Sequence, residues 1–183
     1  MEYKNNFEKK CKECETIFTP FRTTDRLCFV CTKTRQAIKN LEKIKKERVK
    51  RLKVDLMTLQ DYLKKAQTEF NKYIRLRDAD LPCISCGKPL RKGNVDAGHL
   101  WSAGGHSNIR FNELNVNAQC SRPCNKDKSG DVNNYRLGFV KRYGADKLAE
   151  LDLIANLERR FTKDELKELA EYYKQKCKEL SHK

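Results

Sequence analysis

A chain of 183 residues has the length of one ordinary domain or two small ones, but with 38% hydrophobic against 36% charged residues its core must be thin and its subdomains need staples. The net charge of +15 attracts polyanions and makes DNA or RNA the first partner to consider, without specifying any chemistry. No window approaches the roughly 20 apolar residues of a membrane span, and the opening MEYKNNFEKK lacks the apolar run of a signal peptide. The protein is therefore expected in a reducing cytosol with no membrane partner, where paired cysteines bind metal more often than each other.

In chain order, four segments are expected: a four-cysteine zinc finger over 1–32, a basic helical arm and packing helix over 33–80, a zinc-stapled module over 81–140, and a helical segment over 141–183. In the first, Cys11 and Cys14 are two residues apart, as are Cys28 and Cys31, with 13 residues between the pairs. Two such knuckles around a short hairpin bring four thiolates onto one tetrahedral ion, and four thiolates leave no open coordination position, so this zinc is structural. Lys12, Arg22 and Arg26 are candidate phosphate contacts.

Residues 33–53 carry ten Lys or Arg against two Glu, more than half of the net charge. Ile38, Leu41, Ile44, Val49 and Leu52 form only a loose stripe. Both a solvated linker helix and a DNA-contacting arm fit this pattern. Residues 58–78 are patterned as a core helix: Thr58 caps it with Asp61 three residues on, and Leu59, Leu63, Ala66, Phe70, Tyr73 and Ile74 share a face.

The second zinc set pairs Cys83 and Cys86 with Cys120 and Cys124, and Gly87 allows a tight turn. The 33 residues between the pairs are long for a plain ribbon, so something is built inside the loop. His99 as a zinc ligand is the less favoured partition, because the four thiolates already close the site. GNVDAGHLW reads as a strand with Asp96 and Gly98 on one face and Val95, Ala97 and His99 on the other. NIRFNEL reads as the returning strand with Asn115 after it, and CNKDKSG as the start of a helix whose first turn carries Asn125. Further on, a short helix is expected from Asp146 to Leu157. A capping box of Thr162 and Glu165 opens a last helix with Leu166, Leu169, Tyr173 and Leu180 on its apolar face. Cys177 has no partner at ligand spacing and reads as a buried thiol.

Strand, loop, strand and helix wrapped on zinc resemble the ββα-metal module of the HNH nuclease family, with Asp96, His99, Asn115 and Asn125 in the places of its functional residues. Two departures stand out. Gly98 occupies the position that usually holds an acid or histidine, and Asn125 a position that is often histidine. RDADLPCISCGK, DAGHLWSAGG, RFNELNVNAQC and CNKDKSG, after CKEC and a basic helical stretch, are similar over nearly the whole chain to the NinG (Rap) family of phage recombination proteins. The resemblance implies an α+β protein of small zinc-stabilised modules. It also implies a structure-selective DNA endonuclease that acts with a divalent metal on branched recombination intermediates, such as Holliday junctions and D-loops, in the cytoplasm of the bacterial host.

On that reading His99 is the general base, since imidazole titrates near the working pH. Asp96 and Asn125 hold one catalytic Mg²⁺ or Mn²⁺ apart from the two structural zinc ions, because few protein oxygens plus waters suit these hard cations. Asn115 pins the loop that aims His99, and Arg110 and Lys128 contact phosphate. His106 reads as an exposed loop residue, His182 as a tail residue without a role, and Trp101 and Phe111 as packing residues. A junction enzyme cutting two strands symmetrically is expected to dimerise, and phage or host recombination proteins are candidate partners. Two rivals stand beside this reading: a non-catalytic zinc-dependent DNA-binding protein, and an HNH endonuclease of restriction type, which would need a sequence-reading domain that the chain does not display.

Overall fold

A computed structural model describes residues 7–181, so His182 lies outside the described residues. The chain forms two compact units, Met1–Met57 and Thr58–Lys183, and the architecture is α+β, mostly helical with two small two-stranded sheets. No described helix is long and apolar enough to cross a membrane.

In the first unit, β1 (Lys9–Lys10) and β2 (Ile17–Phe18) pair antiparallel across the first cysteine knuckle. The second knuckle opens α1 (Phe29–Asp55), with Cys28 at its N-cap. No residue of α1 is buried, and the loose stripe at Ile38, Leu41, Ile44, Val49 and Leu52 is exposed. The helix stands on local propensity rather than on a packed face, so within this unit the cysteine cluster is the staple.

The second unit begins with α2 (Leu59–Arg77), capped by Thr58 as expected, and the cap proves to be a reciprocal capping box with Asp61. The Thr58 side chain accepts from the Asp61 N–H and the Asp61 carboxylate accepts from the Thr58 N–H. Its buried residues are Tyr62, Ala66, Phe70, Tyr73 and Ile74. Leu59, expected on that face, is 43% exposed, because packing begins one turn later. β3 (Val95–His99) and β4 (Val116–Cys120) form an antiparallel ribbon with Asp96 opposite Gln119 and His99 opposite Val116. α3 (Val132–Tyr143), α4 (Ala145–Ala155) and α5 (Lys163–Ser181) follow. The Thr162–Glu165 capping box opens α5, and α4 falls within two residues of its expected ends.

The ribbon has a core on each face. Ala97 and Val116 pack with Phe70, Tyr73 and Ile74 of α2 and Tyr173 and Cys177 of α5; Cys177 is the buried thiol expected. On the other side, Ile84, Leu100 and Ile109 join Tyr135 and Phe139 of α3 and Leu151 and Ala155 of α4. Gly138 lets α3 approach the Ile84 carbonyl where no side chain would fit. Arg77 and Asp78 clamp α2 to β4: the buried Asp78 carboxylate accepts from the Ala118 N–H at 2.8 Å, and Arg77 donates to the Glu113 and Val116 carbonyls.

Two expectations about the loop are corrected. The returning strand is Val116–Cys120, not NIRFNEL, and Asn115 precedes it. NIRFNEL instead winds through a short 3-10 turn at Ser107–Ile109; the Asn112 side chain accepts from the Leu114 N–H at 2.9 Å, a local bond that competes with strand pairing. Nor does a helix begin at CNKDKSG. Ser121–Asn125 is a single wide turn in which Arg122 is extended (φ −130°). Ser129, Gly130 and Asp131 then take φ of 49°, 90° and 46°, so α3 starts only at Val132.

Candidate active site and metal centres

Each expected cysteine set converges. The Sγ atoms of Cys11, Cys14, Cys28 and Cys31 lie within 4.8 Å of one another, and so do those of Cys83, Cys86, Cys120 and Cys124. Individual separations of 3.6 Å (Cys14–Cys28), 3.9 Å (Cys83–Cys124) and 3.8 Å (Cys86–Cys120) match the ~3.8 Å expected between corners of a tetrahedron with ~2.3 Å Zn–S bonds. Backbone N–H groups point at the sulfurs, from Cys28 to Cys11 and from Cys120 to Cys83, each at 3.3 Å. Those from Cys14 and Cys28 lower the Cys11 thiol to about 6. Burial, followed by the Cys83 thiol, pushes Cys120 up to about 12. Crowded sulfurs served by backbone donors fit a thiophilic divalent ion such as zinc. Gly87, at φ 67°, closes the turn after Cys86 in a conformation that side-chain-bearing residues avoid.

The ribbon brings Asp96 and Asn125 together although they are 29 residues apart: Asn125 Nδ2 donates to Asp96 Oδ2 at 2.9 Å. β3 supplies the first, and the wide turn closed by the second cysteine set supplies the other. Strand alternation sends His99, three residues past Asp96, to the opposite face at the end of β3. His99 Nε2 lies 3.3 Å from the Arg110 carbonyl oxygen, which can only accept. The Ala97 backbone also bonds the ring, so carbonyls on the strand and on the loop orient the imidazole. Burial lowers the His99 pKa below its usual 6.5, which keeps the ring neutral at neutral pH.

Asn115 is fully buried and holds the loop between the strands. Its Oδ1 accepts from the Trp101 N–H at 2.8 Å, and its Nδ2 donates to the Trp101 and Ile109 carbonyls at 3.0 and 3.1 Å. Arg110 is partly buried, its pKa is lowered by that burial, and its guanidinium makes no ion pair among the described residues. Lys128 is half-exposed and lies 3.5 Å from Asp131. His106 differs from the exposed residue expected: it is partly buried, with Nδ1 3.0 Å from the Ala155 carbonyl and its ring against Trp101. Trp101 donates to Asp152 at 2.9 Å, and Phe111 packs edge-on against Phe70 and Phe161.

Three contributors escape sequence reasoning. The Tyr135 hydroxyl, wholly buried on α3, lies 3.0 Å from the Gly98 carbonyl and 3.3 Å from that of Asn115, tying α3 to the strand end that carries His99. Asn117 donates to that hydroxyl at 3.0 Å. Gln119 fills the space over Gly98. The one signal for the last two was the alternation Val116–Asn117–Ala118–Gln119–Cys120, whose polar face reads as solvent-facing and is in fact 0% exposed at both amides.

The family model described as "Bacteriophage Lambda NinG protein" matches residues 3–183. Among curated proteins, the chain is 32% identical over 190 residues to "Protein ninG" of Escherichia phage 933W, covering 94% of this chain and 93% of that one. It is 38% identical over 134 residues to "Protein ninG" of Escherichia phage lambda, covering 73% and 64% respectively, and 37% identical over the same length to that of Salmonella phage P22. No solved structure matches.

Proposed function

Because the chain belongs to the NinG family, we propose that it is a structure-selective DNA endonuclease of the HNH type, hydrolysing phosphodiester bonds in branched recombination intermediates such as Holliday junctions and D-loops. The observation that carries the proposal is the meeting of Asn125 with Asp96 at 2.9 Å, Asp96 lying on the same strand, β3, that ends at His99.

The residues fit the chemistry. His99 takes a proton from the attacking water while the Arg110 and Ala97 carbonyls orient its ring. Asp96 and Asn125 hold a hard divalent cation, Mg²⁺ or Mn²⁺, once the Asn125 amide turns its oxygen toward the space it shares with Asp96. Such an ion would neutralise charge developing on the phosphate and the leaving oxygen. Asn115 positions the His99 loop, and the unpaired Arg110 and the exposed Lys128 meet flanking phosphates. The two cysteine sets hold structural zinc. The basic α1 adds sequence-independent affinity for the DNA backbone. Symmetric cleavage of a junction calls for a homodimer, with phage or host recombination proteins as partners in the host cytoplasm.

The test is cleavage of labelled linear, forked and four-way DNA with Mg²⁺, Mn²⁺ or EDTA by wild type and His99→Ala. The expected result is metal-dependent cutting of the branched substrates, reduced ~10²- to 10⁴-fold by the substitution, with zinc content and junction binding retained. Binding without cutting by wild type in every metal would make the protein a DNA-binding module. Near-normal cutting by His99→Ala would remove the base from this position.

A further inference from the structure

We propose that the side-chain carbonyl of Gln119 is a third oxygen ligand to the divalent cation held by Asp96 and Asn125; the inference rests on reading that pair as a cation site. Gln119 on β4 stands directly opposite Asp96 on β3, so the two side chains leave the ribbon on the same face. Gly98, two residues beyond Asp96, shares that face.

Gln119 is 0% exposed, and its amide has one allowed orientation. Nε2 donates to the Ser85 hydroxyl and to the Gly130 carbonyl, each at 2.6 Å. A carbonyl can only accept, so turning the amide over would set two oxygens against each other. Oε1 is thereby directed at Gly98, and among the described residues it is a buried acceptor with no donor. A buried acceptor left without a partner costs ~1–3 kcal/mol, and such an atom marks a place where an ion or water completes the structure.

Gly98 has a reason to lack a side chain. A Cβ there would collide with Oε1 and sit 3.0 Å from the Gln119 Cβ and Cδ. Glycine inside a strand is otherwise unfavourable and marks the close approach of another group. One carboxylate and two amide oxygens form a hard donor set of low charge that suits Mg²⁺ or Mn²⁺ retaining several waters.

The test measures Mn²⁺ binding to zinc-loaded full-length protein, read from the electron paramagnetic resonance signal of free Mn²⁺, with zinc content and Trp101 fluorescence as checks of folding. Wild type should bind one Mn²⁺ beyond its zinc, and Asp96→Asn should abolish that site. Gln119→Ala should weaken it at least ~10-fold, since even groups that only support a ligand are worth about 10–100-fold. Gly98→Ala keeps the glutamine but displaces its oxygen, and should weaken binding alike. In the Gln119→Ala background Gly98→Ala should cost nothing further. Gln119→Met, which keeps the bulk and removes the oxygen, replaces Gln119→Ala if that variant loses zinc. Unchanged Mn²⁺ affinity in a folded Gln119 variant, with the site lost in Asp96→Asn, overturns the inference and leaves the nuclease reading intact. Absence of a Mn²⁺ site in wild type, or its indifference to Asp96→Asn, overturns both.

Discussion

Asn115→Ala should destabilise the second unit by about 3 kcal/mol and abolish the alignment of His99. Asn115 is 0% exposed, and its side chain makes three bonds, one accepted from the Trp101 N–H and two donated to the Trp101 and Ile109 carbonyls. Truncation leaves a buried N–H without its acceptor, worth ~1–3 kcal/mol by itself. It also strips a donor from two carbonyls and opens a small cavity. For a unit of this size the sum corresponds to a fall of about 10 °C in Tm. Trp101 is the sole tryptophan and lies at the perturbed bond, so thermal and urea unfolding of zinc-loaded protein can be followed by its fluorescence. Asn115→Asp keeps the acceptor for the Trp101 N–H and loses the donors, and should still be destabilised. A loss below ~1 kcal/mol for Asn115→Ala, within the range of an ordinary surface change or a single modest hydrogen bond, would refute the claim that this side chain holds the loop.

Cleavage should lose rate on acidification only below pH 6.5, because burial lowers the His99 pKa from that value and the base acts when deprotonated; a limb centred above it would contradict the assignment. Cys86→Ser should reduce zinc from about two ions per chain to about one and unfold the second unit while the first keeps its ion; retention of both ions would break the proposed ligand set. Reversing Lys43, Lys46 and Lys50 on the exposed α1 should weaken binding to linear and branched DNA alike. The salt dependence should flatten by about 0.9 in log–log slope for each phosphate that is no longer neutralised. Unchanged affinity for linear DNA would make α1 a linker.

How much was legible in the residues follows from how local each signal is. Both cysteine sets, the Thr58 cap, the capping box at Thr162, the exposed basic helix and strand β3 rest on spacing within a few residues or on sulfur chemistry that admits few partners, and the structure places them as expected. The meeting of Asp96 with Asn125 was legible only through resemblance, because nothing local connects residues 29 apart. Tertiary structure decided the rest. β4 was misplaced because a strand is ordinarily recognised by a polar face turned to water, whereas Asn117 and Gln119 are buried against Tyr135, Ser85 and Gly130. Likewise α3 starts at Val132 and not at Asn125, since the chain must first turn through Ser129–Asp131 to carry Tyr135 and Gly138 onto the ribbon and the Cys83–Cys86 knuckle. Composition and spacing determine which groups this protein owns; the polar partners that fold over the ribbon decide where His99, Asp96 and Gln119 point, because a buried amide takes its orientation from carbonyls and hydroxyls supplied by distant parts of the chain.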